Sequence, residues 1–321
     1  DHSPKHNKRG VIIPEEAGKY PEVSEKDILR GKLSSYRSCY DVNYYDLSLS
    51  LNIDKKSIAG SCKINATVIN NFDTLQIDLF ENLNIIEIKQ GDIELPYYRI
   101  HNAVFIEIFN VIKDDLFTIT IIYDGIPIIA TNPPWDGGFI WEKDKNNIPF
   151  IGVACEGLGA SSWWPNKDHP SDEPDSVRLH ITVPDTLLAI GNGKLENIRK
   201  SDNKTTYSWF VNNPINNYNV SINVGNYVMV EDTLINNKGS QTLSHFVINY
   251  NQDTAKKYFH QAKDVIRFFE KIFGEYPFWD DGYKLIETPY AGMEHQSGIA
   301  YGNGYITSGH YYIYDLVDYI I

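Results

Sequence analysis

The stretch Tyr45-Asp46-Leu47-Ser48-Leu49-Ser50-Leu51-Asn52-Ile53 alternates apolar and polar side chains. A period of two is that of a β-strand with one face buried and the other in water. The same period returns further along the chain, at residues 64–68, 75–79, 104–108, 117–123, 177–183 and 207–211. Residues that favour turns separate these segments, at 70–73, 90–92, 192–193 and 201–204. The first two-thirds of the chain is therefore predicted to be mainly β, an antiparallel β-sandwich or a related open β structure.

A different pattern begins after about residue 250. Residues 254–273 place apolar side chains three or four positions apart, at Phe259, Ala262, Ile266, Phe269 and Phe273. This spacing predicts one amphipathic helix, which Asn251 or Asp253 would cap and which Gly274 and Pro277 would end. A predicted strand at 283–287 and a Gly- and Tyr-rich stretch at 291–314 follow. One helix and one or two strands would leave apolar faces uncovered. We therefore expect this second domain to be incomplete.

These patterns divide the chain into three parts, and its 321 residues suit about two domains. We expect an N-terminal arm at residues 1–40, because charged residues, Pro and Gly are mixed there and the apolar residues follow neither the strand period of two nor the helical spacing of three to four. The β-sandwich domain would cover residues 41–229. The incomplete start of an α+β domain would cover residues 230–321.

The charge balance excludes some classes of partner. The net charge of −13 opposes attraction to nucleic acid or to an anionic membrane. No run of about 18 apolar residues occurs, and residues 1–6 lack the apolar stretch of a signal peptide. Three scattered cysteines are too few for a disulfide framework or a thiolate zinc site, although a bridge between Cys39 and Cys62 stays open. We therefore expect no nucleic-acid partner and no insertion into a membrane.

The first segment that could carry chemistry is Cys155-Glu156-Gly157-Leu158-Gly159-Ala160-Ser161-Ser162-Trp163-Trp164-Pro165, with several acids in the ten residues that follow. Its small residues allow close approach of the backbone, and its paired Trp rings offer a rigid apolar wall. It is either a binding loop or a structured connection in which the Trp rings fill the core and the acids cap turns.

The second segment is Glu287-Thr288-Pro289-Tyr290-Ala291-Gly292-Met293-Glu294-His295-Gln296-Ser297. An acid beside a His at the end of a predicted strand could take up an amine while the sheet edge holds a peptide. Two alternatives stay open, an ordinary surface pair of Glu294 with His295 and a plain Gly- and Tyr-rich loop.

No complete catalytic motif is present in the sequence. Zinc hydrolases carry two His four residues apart on a helix with a Glu between them, and none of the nine histidines forms that motif, since His2 and His6 have the spacing but no Glu between them. The Gly-x-Ser-x-Gly motif and the phosphate-binding loop of nucleotide-binding proteins are also absent. A pair of acids for glycoside cleavage could be chosen, but a sequence does not fix their separation.

The two segments together, in this order and about 140 residues apart, resemble the zinc aminopeptidases of the gluzincin (M1) family, which includes aminopeptidase N and leukotriene A4 hydrolase. Gly292-Met293-Glu294-His295 resembles that family's Gly-x-Met-Glu-Asn exopeptidase motif, with His in place of Asn. The stretch from Cys155 to Asp172-Glu173-Pro174 resembles the one that closes its N-terminal domain, and Ile222-Asn223-Val224-Gly225-Asn226-Tyr227 resembles the strand leading into its catalytic domain. The likeness is greatest to the bacterial branch and covers residues 40–321.

The resemblance implies a saddle-like β-sandwich domain followed by the truncated start of a thermolysin-like catalytic domain. Glu294 would bind the free α-amino group of a peptide, while Ala291, Gly292 and Met293 would line the strand that pairs with the substrate backbone. Glu156 would contact the amine directly or through a neighbouring group.

The family's zinc helix, His-Glu-x-x-His followed by a Glu ligand, would begin just after Ile321. By resemblance this chain is therefore an inactive N-terminal fragment with no catalytic residue, no metal ligand and no bound cofactor, and zinc would belong to the full-length enzyme. Its partner would be a peptide substrate with a free N-terminus. The bacterial branch implies export to the periplasm or cell envelope, with the cytoplasm as the alternative.

Two other interpretations of the sequence stay open. One is a non-catalytic peptidase-like scaffold that binds a protein or peptide partner. The other is a β-sandwich carbohydrate-binding or glycoside-processing protein, which the 6 Trp, 22 Tyr and abundant acids would suit.

Overall fold

The computed structural model of the protein describes residues 22–305, in which strands greatly outnumber helices. The strands are β1 Tyr40–Asn52, β2 Ser57–Val68, β3 Thr74–Asp78, β4 Leu83–Gln90, β5 Ile93–Glu94, β6 Tyr97–Ile100, β7 Ala103–Glu107, β8 Leu116–Gly125, β9 Gly138–Lys143, β10 Pro149–Ala154, β11 Ser176–Pro184, β12 Leu188–Gly191, β13 Lys194–Ser201, β14 Lys204–Val211, β15 Ile222–Gly225, β16 Tyr227–Asn236, β17 Gly239–Ile248, β18 Leu285–Glu287, β19 Gly292–Met293 and β20 Ile299–Tyr301. The α-helices are α1 Glu25–Gly31, α2 Ser35–Ser38, α3 Gln252–Phe259 and α4 Gln261–Phe273. Short 3₁₀ turns lie at Ala160–Ser162, Asn217–Asn219, Asn249–Asn251 and Trp279–Asp281.

The first part of the chain is built around an eight-stranded sheet in the order β13-β14-β11-β1-β2-β8-β4-β5. Its neighbouring strands are antiparallel except β1 and β11, which run parallel. A parallel pair needs a long crossover, and more than a hundred residues separate these two strands. The prediction of a mainly β fold is confirmed, and the sheet is mixed at this one position.

A four-stranded sheet, β12-β15-β10-β9, packs on the eight-stranded one. Gly191 of β12 lies so close to β11 and β14 that an added Cβ would come within 2.9 Å of Leu179 and 3.2 Å of Trp209. The alternating apolar residues of β1, β2, β8 and β11 fill the core between the layers. A three-stranded sheet, β3-β7-β6, borders this core.

The second part is a five-stranded sheet, β16-β17-β18-β20-β19, against which α3 and α4 pack. The chain here forms two helices that meet at His260, so the prediction of one continuous helix is wrong at that residue. Asn251 does not cap α3 with its side chain; instead its amide donates to Glu287 Oε1 at 2.6 Å. Gly274 ends α4 at a φ of 95°, a left-handed conformation that glycine adopts without strain.

Two further features bear on the predicted division of the chain. The boundary expected at residues 229/230 falls inside β16, where Tyr227 joins the core of the first part and Val230 joins that of the second. The described portion of the expected arm, from residue 22, holds α1 and α2 and buries Arg37 fully against Asp78, with a 2.6 Å ion pair. Residues 1–21 of the arm and residues 306–321 lie outside the described residues, and the domain limits stay a prediction.

Cys39, Cys62 and Cys155 are buried free thiols, so the bridge left open between Cys39 and Cys62 is not formed. Across residues 22–305, no helix is both long and apolar enough to cross a membrane.

Candidate amine-binding groove

The Gly-Met-Glu-His motif lies at an edge of the five-stranded sheet. Gly292 and Met293 form β19, which pairs antiparallel with β20 on one side and is the last strand of the sheet in the described chain. Met293 packs with Ile140 of β9 and Tyr290, so the first part of the molecule supports the strand from beneath. Ala291, directly before β19, is exposed. A sheet edge with unpaired backbone groups can accept an extended peptide as a further strand.

Glu294 follows β19 directly and its side chain is exposed. The Tyr218 hydroxyl donates to Glu294 Oε1 at 3.0 Å. Partial burial, followed by this bond and the charge of Glu294, raises the pKa of Tyr218 to about 12, so the phenol remains a donor at neutral pH. The contact fixes one carboxylate oxygen and leaves the other for a ligand.

Glu156 approaches the same phenol from another part of the chain. It lies exposed in the turn after β10, and the Arg30 guanidinium of α1 holds that turn by donating to the carbonyls of Gly157 and Leu158 at 2.7 and 2.8 Å. The charge of Glu156 contributes to the raised pKa of Tyr218. Glu156 and Tyr218 both line a neighbouring pocket of about 540 Å³, which Glu294 does not line.

Glu294 lines a groove of about 470 Å³ beside β19. Most of the other side chains of the groove are apolar or aromatic, namely Pro134, Trp135, Tyr276, Phe278, Met293 and Ile299. A single carboxylate in an apolar wall suits a ligand that carries one positive charge next to a hydrophobic group.

His295 is fully buried, and neither ring nitrogen has a hydrogen-bond partner among the described residues. Burial lowers its pKa from 6.5 to about 4, so the ring is neutral at pH 7. The backbone after it is fixed by the first part of the chain, since Gln296 N donates to Asn219 Oδ1 at 2.8 Å and Asn192 Nδ2 donates to the Gln296 carbonyl at 2.7 Å. The surface-pair alternative therefore does not hold, because only Glu294 of the two is exposed.

Most of the first sequence segment is structural. Trp163 and Trp164 have no exposed surface and belong to the core. Asp168 accepts from the backbone N–H and hydroxyl of Ser161, and Asp172 forms a buried ion pair with Lys167. In this segment the alternative of a structured connection is correct for these residues, and Glu156 lines the neighbouring pocket together with Asp168 and Asp172.

Sequence reasoning missed Tyr218, Arg30 and Trp135. Tyr218 and Arg30 sit in segments without any motif, and their roles depend on long-range contacts that no spacing reveals. Trp135 had a local signal, because it lies in the turn sequence Pro133-Pro134-Trp135-Asp136-Gly137-Gly138, where a large apolar residue is unusual.

No group of three His, Cys, Asp or Glu side chains that could hold a metal ion occurs within the described part of the chain. The residues present there do not fit a zinc site.

Comparison with known proteins, by a family model and by solved structures, finds similarity to M1 peptidases in both cases. The model of the family described as the Peptidase M1 N-terminal domain matches residues 41–218. Similar solved structures include an M1 zinc metallopeptidase from Deinococcus radiodurans bound to a Tyr-Ser-Ala substrate, with 16% identity and a TM-score of 0.71 over 83% of this chain and 61% of that one. Leukotriene A4 hydrolase from Saccharomyces cerevisiae gives 19% identity and a TM-score of 0.68 over 90% of this chain and 44% of that one. The chain thus spans less than two-thirds of either protein. No curated protein sequence matches it.

Proposed function

The chain belongs to the M1 peptidase family, and we propose that it is the part of a zinc metallo-aminopeptidase that recognises the free N-terminus of a peptide. The observation that carries this proposal is the exposed Glu294 carboxylate, which Tyr218 holds at the end of an unpaired sheet edge. The full enzyme would remove the first residue of its substrate.

A peptide's α-ammonium group is the ligand that fits this geometry. It would donate to the free oxygen of Glu294, and a charge-assisted hydrogen bond of this kind contributes about 1.5–3 kcal/mol. The backbone of Ala291, Gly292 and Met293 would pair with the residues that follow. Glu156, which shares a pocket with Tyr218, would add negative potential near this site. Because the strand runs directly into Glu294, only the first peptide bond would be presented for cleavage.

In this proposal zinc is held by residues outside the described ones, since those at 22–305 offer no ligand group. When bound, zinc polarises a scissile carbonyl and lowers the pKa of its water. The 321-residue chain contributes recognition of the amine and of the backbone, and we expect no hydrolysis by it alone.

Calorimetric titration of the 321-residue chain with a free-amine tripeptide and with its N-acetylated form tests the recognition step. We expect binding of the free amine only, with affinity reduced more than about ten-fold in Glu294→Gln and several-fold in Tyr218→Phe. Glu107→Gln changes an exposed acid on β7 and is the matched control. Equal binding of the acetylated peptide would refute the amine site.

The catalytic step needs a second experiment, which compares this chain with one extended through the next few hundred residues of its gene. Zinc content and hydrolysis of aminoacyl-p-nitroanilides are measured on both. We expect both properties in the extended chain only. If the extended chain shows neither, a non-catalytic peptidase-like scaffold becomes the better account.

A further inference from the structure

Trp135 lies at the tip of a closed turn next to the amine-binding groove, with 72% of its surface exposed. The turn is held by two backbone bonds, from Asp136 N to the Asn132 carbonyl at 2.9 Å and from Thr131 N to the Asp136 carbonyl at 3.2 Å. An indole so exposed loses hydrophobic stabilisation, and nothing in the core requires it there.

Two glycines allow close backbone approaches here, Gly137 between the turn and the end of β10 and Gly138 between the two ends of the turn. A Cβ added to Gly137 would come within 2.3 Å of the Ala154 carbonyl oxygen, and one added to Gly138 within 2.5 Å of the Ile128 oxygen. Gly138 also has a φ of 141°, which other residues rarely adopt. Ala130, at the base of the turn, packs against the buried cluster that contains Tyr290 and Met293 of the motif segment. These contacts fix the backbone of the turn that carries Trp135 beside the groove.

Trp135 shares the groove with Glu294, and Tyr276 and Phe278 add further aromatic surface. The last two rings contact each other edge to face at 5.6 Å. If an α-ammonium sits on Glu294, the side chain nearest to it is that of the first residue, whose Cβ is only two bonds from the amine nitrogen. A volume of about 470 Å³ accommodates even a large aromatic side chain.

We propose that Trp135 determines specificity, and that its indole packs on the side chain of the first residue so that the groove selects peptides with an aromatic or large apolar N-terminus. This inference rests on the proposed function. Small side chains would leave the indole in water, and acidic ones would meet the charge of Glu294.

The test is calorimetric titration of the 321-residue chain with Phe-Ala-Ala, Leu-Ala-Ala, Ala-Ala-Ala, Lys-Ala-Ala and N-acetyl-Phe-Ala-Ala. We expect Phe-Ala-Ala to bind about ten-fold more tightly than Ala-Ala-Ala. Trp135→Ala should remove that difference and leave the affinity for Ala-Ala-Ala within about two-fold, while Trp135→Phe should keep part of it. Ile126→Ala, an exposed residue outside the groove on the same connection, is the matched control.

Each other outcome has a distinct meaning. Equal affinities for Phe-Ala-Ala and Ala-Ala-Ala that still depend on Glu294 would overturn this inference and leave the proposed function standing. Tightest binding of Lys-Ala-Ala would overturn it in favour of a cation-selective groove. An equal loss of affinity for all peptides in Trp135→Ala would also overturn it, because the indole would then stabilise the groove without selecting the first residue. Absence of any free-amine binding would overturn the proposed function and this inference with it.

Discussion

At the scale of single residues, the buried His295 gives the protein a dependence on pH. Its pKa is lowered by burial from 6.5 to about 4, against an opposing contribution from the charge of Glu294. His245, also fully buried, has its pKa lowered to about 4 for the same reason. The unfolded state therefore binds protons first as the pH falls. The stabilisation that the neutral rings provide is complete above about pH 6.5 and is lost as the pH falls to about 4.

We expect His295→Asn to remove one of these two contributions. Between pH 7.5 and pH 4 the wild-type chain should lose about 3 kcal/mol more of its free energy of unfolding than the variant does. Urea unfolding at closely spaced pH values measures this. His101→Gln changes an exposed ring and serves as control. Parallel pH profiles for wild type and His295→Asn would show that the ring finds a proton-stabilising partner in solution.

The residue scale also shows what the sequence could predict. The exposed position of Glu294 after a strand follows from local pattern. The burial of His295 next to it could not be foreseen, because it depends on Asn192 and Asn219, which fix the backbone after it from about 100 and 76 residues away.

At the scale of elements, α4 divides its apolar residues between two environments. Ala262 and Ile266 are buried against the sheet, whereas Phe269 is 51% exposed and Phe273 is 80% exposed. The helical period predicted one apolar stripe containing all four. The described sheet covers only the first turns of that stripe, so the expectation of uncovered apolar faces in the second domain agrees with the described residues.

We expect the two ends of α4 to respond differently to substitution in the 321-residue chain. Ile266→Ala should lower the free energy of unfolding by about 2–4 kcal/mol, because it empties a buried position. Phe273→Ser should change it by less than about 0.5 kcal/mol, as exposed positions usually do. Chemical denaturation of both variants gives the comparison. A loss from Phe273→Ser as large as that from Ile266→Ala would mean that the ring is covered in solution.

Strand positions followed from period two where one face of the strand is buried, as in β1, β8 and β11, because this determines the alternation locally. The pairing of the strands could not be predicted from this period. The parallel pairing of β1 with β11 joins segments far apart in sequence, and nothing in the sequence of either strand identifies its partner.

At the scale of the whole molecule, the candidate amine-binding groove lies where the two parts of the chain meet. Glu294 and β19 come from the second part, while Trp135 and Tyr218, which donates to Glu294, come from the first. Several of the polar contacts between the parts are buried. Lys284 Nζ donates to the Gly193 carbonyl, and burial lowers the pKa of this amine to about 7.

Asp281 makes the most extensive of these contacts and has no exposed surface. Its carboxylate accepts from Asn212 N at 2.6 Å, from Asn213 N at 3.2 Å and from Asn213 Nδ2 at 2.8 Å. Removing it would leave these three buried or half-buried donors without their acceptor, which costs about 1–3 kcal/mol for each group that water does not reach.

Asp281→Ala should therefore loosen the second part more than the first. Hydrogen exchange followed by mass spectrometry should show faster exchange in α4 and β18 with little change in β2, and the affinity for a free-amine tripeptide should fall several-fold because Glu294 is no longer held against Tyr218. Asp280→Ala removes the exposed acid next to it and should leave both properties unchanged. Equal acceleration of exchange in β2 and α4 would contradict this expectation, because it would mean that the two parts open as one cooperative unit and that Asp281 stabilises the whole molecule rather than the contact that forms the groove.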